Sequence, residues 1–239
     1  MKKAAVIFYT ISFSLFIIFV LLMFRVYSNL YKTADCSAKP DSNVTFVIDP
    51  GHGGEDGGAV ANGITEKDIN LQISMCLADI MRANGYKVNT IRDQDCSVES
   101  EGDTLRQRKV SDMKNRMNIY NSSENNVVIS IHQNKFTDSK YYGTQIFYSP
   151  NNSESAVLAE KIKNQVKSLL QPDNSREIKK AGSDIYLLKN AETPSVIVEC
   201  GFISNPEEAK KLTDKEYQKQ LAWCIFQGTI DFLNENSYN

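Results

Sequence analysis

The chain has only two histidines, and both stand where an imidazole can do chemistry. His52 lies in the run Asp49-Pro50-Gly51-His52-Gly53-Gly54, just past an apolar stretch, and His132 directly follows the apolar run Val127–Ile131. Glu199 follows a third such run, Ser195–Val198, and Glu66 opens an amphipathic segment shortly after the glycine-rich loop. Ligands of open α/β sheets sit in the crevice beyond the carboxyl ends of the strands. Three strands that each end in a metal- or proton-competent group would therefore direct those groups into one crevice, within reach of Glu66.

Two imidazoles and one carboxylate make a three-ligand zinc site that keeps a fourth position open for water. Iron accepts the same donor set, so zinc is an inference from ligand type and the lack of a redox demand. The remaining glutamate then has a different role. It takes the proton of the attacking water and hands it to a leaving amine. Spacing alone allows Glu66 and Glu199 to exchange these roles; the assignment taken is Glu66 as ligand and Glu199 as acid/base. Three other readings compete. The histidines could be structural hydrogen-bonders. The glycine-rich loop could cradle a phosphate, but no Gly-Lys-Ser/Thr follows it. Cys200, beside Glu199, could be a nucleophile partnered by a histidine.

The elements that must position these groups alternate in type. Apolar runs read as strands at Val44–Asp49, Lys87–Ile91, Val127–Ile131, Thr144–Tyr148, Ile185–Leu188 and Ser195–Val198. Helical periodicity marks Glu66–Ala83, with Ile69, Ile73, Cys76, Leu77 and Ile80 on one face, Thr65 as N-cap and Asp68 completing a capping-box-like start. Leu105–Tyr120 is a charged helix with Val110, Met113, Met117 and Tyr120 along one side, and Glu154–Leu170 buries Leu158, Ile162, Val166 and Leu169. Asn205-Pro206-Glu207-Glu208 has the cap, first-turn proline and acid of a helix start. The last helix, about 214–234, buries Tyr217, Leu221, Cys224, Ile225 and Phe232. Strands alternating with helices imply a single α/β layer sandwich with helices on both sheet faces.

Residues 1–25 read as an N-terminal membrane anchor or signal segment, 26–42 as a linker and 43–236 as the catalytic domain. Lys2 and Lys3 precede Ala4 to Phe24, which carry no charge and could cross a bilayer core of roughly 30 Å as a helix. The flanking lysines keep the N-terminus inside and place the rest outside. With 27 basic and 29 acidic residues the chain lacks the footprint of a nucleic-acid binder. Five cysteines cannot all pair with one another; Cys76 and Cys224 fall at apolar helix positions, while Cys36 and Cys96 sit in loops and could pair.

At the same residues the sequence resembles the zinc-dependent N-acetylmuramoyl-L-alanine amidases of the Amidase_3 type. The matching segments are Ile48 to Gly54, Gly63 to Asp68, Ser130 to Asn134 and Val198 to Asn205, in the family's order and spacing. The resemblance implies one zinc ion held by His52, Glu66 and His132, with Glu199 as the acid/base, which resolves the exchange left open above. It also implies a twisted, largely parallel six-stranded sheet wrapped by helices, and cleavage of the amide between N-acetylmuramic acid and L-alanine. Asn134 is expected to help position substrate, and Gln133, commonly apolar or small in the family, to bear on substrate preference.

Within the family, a lone catalytic domain after an apolar segment, and a helix carrying Arg106, Arg108 and Arg116, most resemble the germination-specific cortex amidases of spore formers. The expected partners are cortex peptidoglycan stem peptides, the membrane, and a protein activator or regulator, since no segment reads as the family's blocking helix. A catalytically silent peptidoglycan-binding relative is the alternative; it would usually have lost one of the four site residues.

Overall fold

The computed structural model describes residues 13–23, 25 and 43–236. The chain divides into two compact units, Met1–Ala38 and Lys39–Asn239. In the first, residues 13–23 form a helix, α1, with exposed side chains. The rest of the expected anchor lies outside the described residues, as do the linker and Cys36; among the described residues no helix is long and apolar enough to cross a membrane.

The second unit is built on a six-stranded sheet in the order β4-β1-β5-β8-β6-β7. Its strands are β1 (Thr45–Pro50), β4 (Lys87–Thr90), β5 (Asn126–Asn134), β6 (Gln145–Tyr148), β7 (Lys179–Lys180) and β8 (Ser195–Phe202). β4, β1, β5 and β8 run parallel; β6 is antiparallel to β8 and carries β7 parallel to itself. A separate hairpin pairs β2 (Val60–Ala61) with β3 (Ile64–Thr65). The central strands read as unbroken apolar runs because both faces are covered. On one face lie α2 (Glu66–Ala83), α4 (Glu154–Leu169) and α7 (Lys215–Asn236), packed on one another; on the other lie α3 (Leu105–Tyr120) and α5 (Tyr186–Asn190). α6 (Pro206–Leu212) follows β8. Strand alternation sorts the core: Phe46 stacks edge-on against Tyr86, which meets Phe226 of α7, whereas Val47 and Val128 pack against Met117, Tyr120 and Leu187.

Several local expectations are corrected by tertiary packing. Ile185–Leu188 is not a strand: residues 186–190 are the short helix α5, and the sixth strand is the exposed pair Lys179–Lys180. Lysines blunt such an edge against further pairing. β5 and β8 run past the apolar stretches to Asn134 and Phe202, so His132 and Glu199 lie within strands rather than after them. Thr65 makes no side-chain cap, because the amides of Glu66 and Lys67 already donate to Ala59 O and Gly57 O at 2.9 and 3.2 Å. α3, by contrast, is capped by side chains through the reciprocal Thr104–Gln107 box. Asn205 caps α6 by accepting from Glu207 N and Glu208 N. Val110 and Leu169 are exposed, and Tyr217 is half-buried.

Beside Met117 and Tyr120 of its apolar stripe, α3 also buries Arg116. This arginine is 2 % exposed and ion-paired to Asp49, which is fully buried near the end of β1 on the same sheet face as Val47. Tyr120 Oη and Ser130 Oγ also donate to Asp49, at 2.6 and 3.1 Å, and Asp112 braces Arg116 Nε at 2.6 Å. Burial alone would push the Asp49 carboxyl up, but Arg116 and Tyr120 hold it below the ordinary value. Its contribution to stability is therefore complete above the unfolded carboxyl value of 3.8 and is lost as pH falls through the lower folded one. Replacing Arg116 by Met should leave a buried unpaired carboxylate and cost about 3–5 kcal/mol near neutral pH. Urea unfolding should show this loss, and it should shrink below pH 3.8, where Asp49 of the variant is protonated.

Candidate metal centre

The carboxyl ends of β1, β5 and β8 lie side by side, and the four chemically competent residues meet there. His52 is two residues beyond β1, in a left-handed turn with φ of 62°. Glu66 is the first residue of α2, and the hairpin before it turns at Asn62-Gly63, both with positive φ. That Asn-Gly pair is a hairpin signal carried by a stretch that does not read as an element on periodicity. His132 sits in β5 directly opposite Glu199 in β8, and the register shifts between His132 and Asn134.

Ligand-capable atoms of His52, Glu66 and His132 all lie within 4.8 Å of one another. Glu66 Oε1 is 2.9 Å from His132 Nδ1 and 3.3 Å from His52 Nε2. The carboxylate is buried, and donors surround it: Gln133 N reaches Oε1 at 3.0 Å and Ala59 N reaches Oε2 at 2.8 Å. Burial would push its pKa up, but the two imidazoles hold it well below the carboxylate range. His52 turns its other nitrogen, Nδ1, to Asp56 Oδ2 at 2.9 Å, and Asp56 Oδ1 accepts from Lys109 Nζ at 2.9 Å. Burial opposes charge on His52, yet Asp56 and Glu66 raise it to about 9. The N, N, O donor set, the close spacing and the carboxylate orienting His52 all fit a divalent metal such as zinc.

Room for the cluster depends on glycine. A Cβ at Gly51 would collide with the His132 ring at Nε2, and one at Gly58 would lie 2.6 Å from Glu66 Oε2. Two buried arginines then pin the loop that carries His52. Arg92 donates to Pro50 O, Gly51 O and Lys67 O at 2.9, 3.1 and 2.9 Å, and Arg116 donates to Pro50 O and His52 O at 3.1 and 2.8 Å. Neither arginine is legible in the sequence as a support for the site; only the arginine content of the helix bearing Arg116 stands out there.

Glu199 is half-buried as a residue, but its Oε2 is closed off from solvent and has no hydrogen-bond partner. Burial raises this carboxyl to about 7 against the lowering pull of His132. Cys200 points the other way, fully buried, with its thiol pushed far up by desolvation, and that removes the nucleophile reading. Gln133 is also turned inward: its side-chain amide donates to Asn70 Oδ1 at 3.1 Å, and Asn70 in turn donates to Gly51 O at 3.1 Å. It braces the site from behind, so its departure from the family's pattern does not bear on a substrate-facing surface. Asn134 is half-buried at the end of β5, where its carbonyl accepts from Ile203 N at 2.9 Å.

The family model described as N-acetylmuramoyl-L-alanine amidase (Amidase_3) matches residues 46–231, which include all five site candidates. The chain belongs to that family. It is 32 % identical over 226 residues to the germination-specific N-acetylmuramoyl-L-alanine amidase of Bacillus subtilis, covering 94 % of each chain. A solved structure of the CwlD amidase from Clostridioides difficile, in complex with the GerS lipoprotein, superposes with a TM-score of 0.77. It is 41 % identical and covers 80 % of this chain and 99 % of that one. The amidase AmiC2 of Nostoc punctiforme superposes with a TM-score of 0.66 at 29 % identity, over 80 % of this chain and 98 % of its own.

Asp56, which the motif reading missed, is a carboxylate four residues after His52 in the same loop. Asp56→Asn should weaken zinc binding by about 10–100-fold while the fold persists, as for outer-shell partners of metal-bound histidines. Competition against a chromophoric chelator would measure it.

Proposed function

We propose that this amidase hydrolyses the bond between N-acetylmuramic acid and L-alanine in peptidoglycan with one zinc ion held by His52, Glu66 and His132. Glu199 is the acid/base, and Asn134 helps to hold the substrate. The observation that carries the reading is the meeting of two imidazoles and a carboxylate from three separate elements within 4.8 Å, in the crevice that Glu199 borders from β8 with an unpartnered carboxylate oxygen. Zinc bound there would polarise the scissile carbonyl and acidify the attacking water.

The chain's own residues do the rest. Glu66, fixed by Gln133 N and Ala59 N, stays ionised against burial and sets the distance between the two imidazoles. Asp56 holds His52 with Nε2 facing inward. Glu199 takes the proton of the attacking water and returns it to the leaving amine of L-alanine. A carboxyl raised to about 7 can do both near neutral pH.

The relatives also support a setting. Likeness to a germination-specific amidase supports action on spore cortex, outside the cytoplasmic membrane, on the way to muramic-δ-lactam. The apolar run Ala4 to Phe24 supports attachment to that membrane on sequence grounds alone. The Clostridioides difficile relative was solved with a lipoprotein, which supports a protein partner here. Full-rate cortex hydrolysis by the purified full chain without any other protein would remove that part of the proposal.

Metal analysis of the full chain, with mass spectrometry of digested cortex, tests the core reading. The expected result is about one zinc per chain and new peptides beginning with free L-alanine; products cut within the glycan would overturn it. Glu199→Gln should keep its zinc yet lose peptide release by at least about a hundredfold, the scale of a lost general acid/base. Chelation should abolish release in the native enzyme, and added zinc should restore it.

A further inference from the structure

The loop between β5 and β6 exposes three aromatic rings in nine residues, Lys135 to Gly143. Phe136 is 52 % exposed, Tyr141 36 % and Tyr142 53 %. Among the described residues of the second unit, the other exposed aromatic side chains are Tyr186 and Trp223, which stand on separate helices. Phe136 and Tyr141 meet edge to face with centroids 4.8 Å apart, and Tyr141 leans on Phe202, the last residue of β8, at 6.2 Å. Arg176 lies over the Phe202 ring at 4.5 Å.

The rings are held out rather than left loose. Arg176 Nε donates to Tyr142 O at 2.7 Å, Asn205 Nδ2 to Tyr141 O at 3.3 Å, and Phe136 N to Ser204 Oγ at 3.0 Å. Glu208 accepts Gly143 N at 3.0 Å and so closes the loop's far end. The loop also shares a rim with the metal centre. Phe136 is only four residues beyond His132, so their Cα atoms are at most about 14 Å apart. Lys135 Nζ donates to Val60 O at 3.0 Å, on the hairpin that leads into Glu66.

Between the rings stand Thr137, Asp138, Ser139 and Lys140, with no aliphatic side chain. Rigid rings set among polar groups match a pyranose, whose face of C–H bonds is bordered by hydroxyl and acetamido groups. We propose that Phe136, Tyr141 and Tyr142 form a glycan subsite that stacks amino-sugar rings of the peptidoglycan strand next to the muramic acid being cut. The inference rests on the amidase reading for its choice of polysaccharide.

The decisive measurement is binding of the full chain, in mild detergent, to peptide-free strands of alternating N-acetylglucosamine and N-acetylmuramic acid. Phe136→Ala with Tyr142→Ala should weaken binding about tenfold, the scale of two lost aromatic contacts. Phe136→Tyr with Tyr142→Phe should restore it, and Trp223→Ala should leave it unchanged. Native affinity in the double alanine variant, with its thermal midpoint and zinc content intact, would overturn the subsite; so would an equal loss in Trp223→Ala. Without stem peptides the strands lack the amide between muramic acid and L-alanine that the proposed reaction cuts. A chain that binds them through these rings but releases no stem peptide from cortex would support the subsite while sinking the catalytic reading.

Discussion

A carboxylate taken out of water must be met by charge or by hydrogen-bond donors, and the carboxylate of Glu66 is the point on which this site turns. It lies at the first residue of α2, where helix N–H groups favour negative charge. Two main-chain amides and two imidazoles converge on it from the hairpin, the β1 loop and β5. Those contacts fix how far apart the histidines stand, and so whether one ion can touch all three side chains.

The loop carrying His52 needs its own restraint. Its backbone runs through positive φ at His52, Gly53 and Gly54, a conformation with an intrinsic cost at the histidine. Arg92 and Arg116 meet that cost with charged donors aimed at the loop's carbonyls, and the neutral amide of Asn70 adds one from α2. Arg116 does so while paired to Asp49, so the packing of α3 on the sheet and the orientation of His52 depend on the same buried ion pair.

Much of the fold was legible because parallel strands buried on both faces must be apolar throughout, and helices on such a sheet must show a 3.6-residue stripe. The reading failed where that logic has no grip. Ile185 to Leu188 is apolar enough for a strand, yet Leu187 and Leu188 are both buried as successive residues of α5. Lys179–Lys180 carries no strand signal at all and pairs only because the Tyr148 edge is offered to it. Asp49, Arg92 and Asp56 read as ordinary polar residues, and Arg116 as one arginine of a charged helix. Their roles depend on neighbours that are tens of positions away, or on the turn that returns Asp56 to His52.

The sequence by itself determined the α/β class, the residues competent for metal and proton chemistry, and the family those residues belong to. The first two depend on residue type and local periodicity; the family rests on the resemblance of four motif segments, in order along the chain, to known amidases. Only the tertiary structure decided that β1, β5 and β8 are neighbours, that His132 faces Glu199 across two strands, and that Cys200 and Gln133 turn inward. Strand order and side-chain direction are set by pairings between distant segments, and no local stretch of chain contains the energy of those pairings.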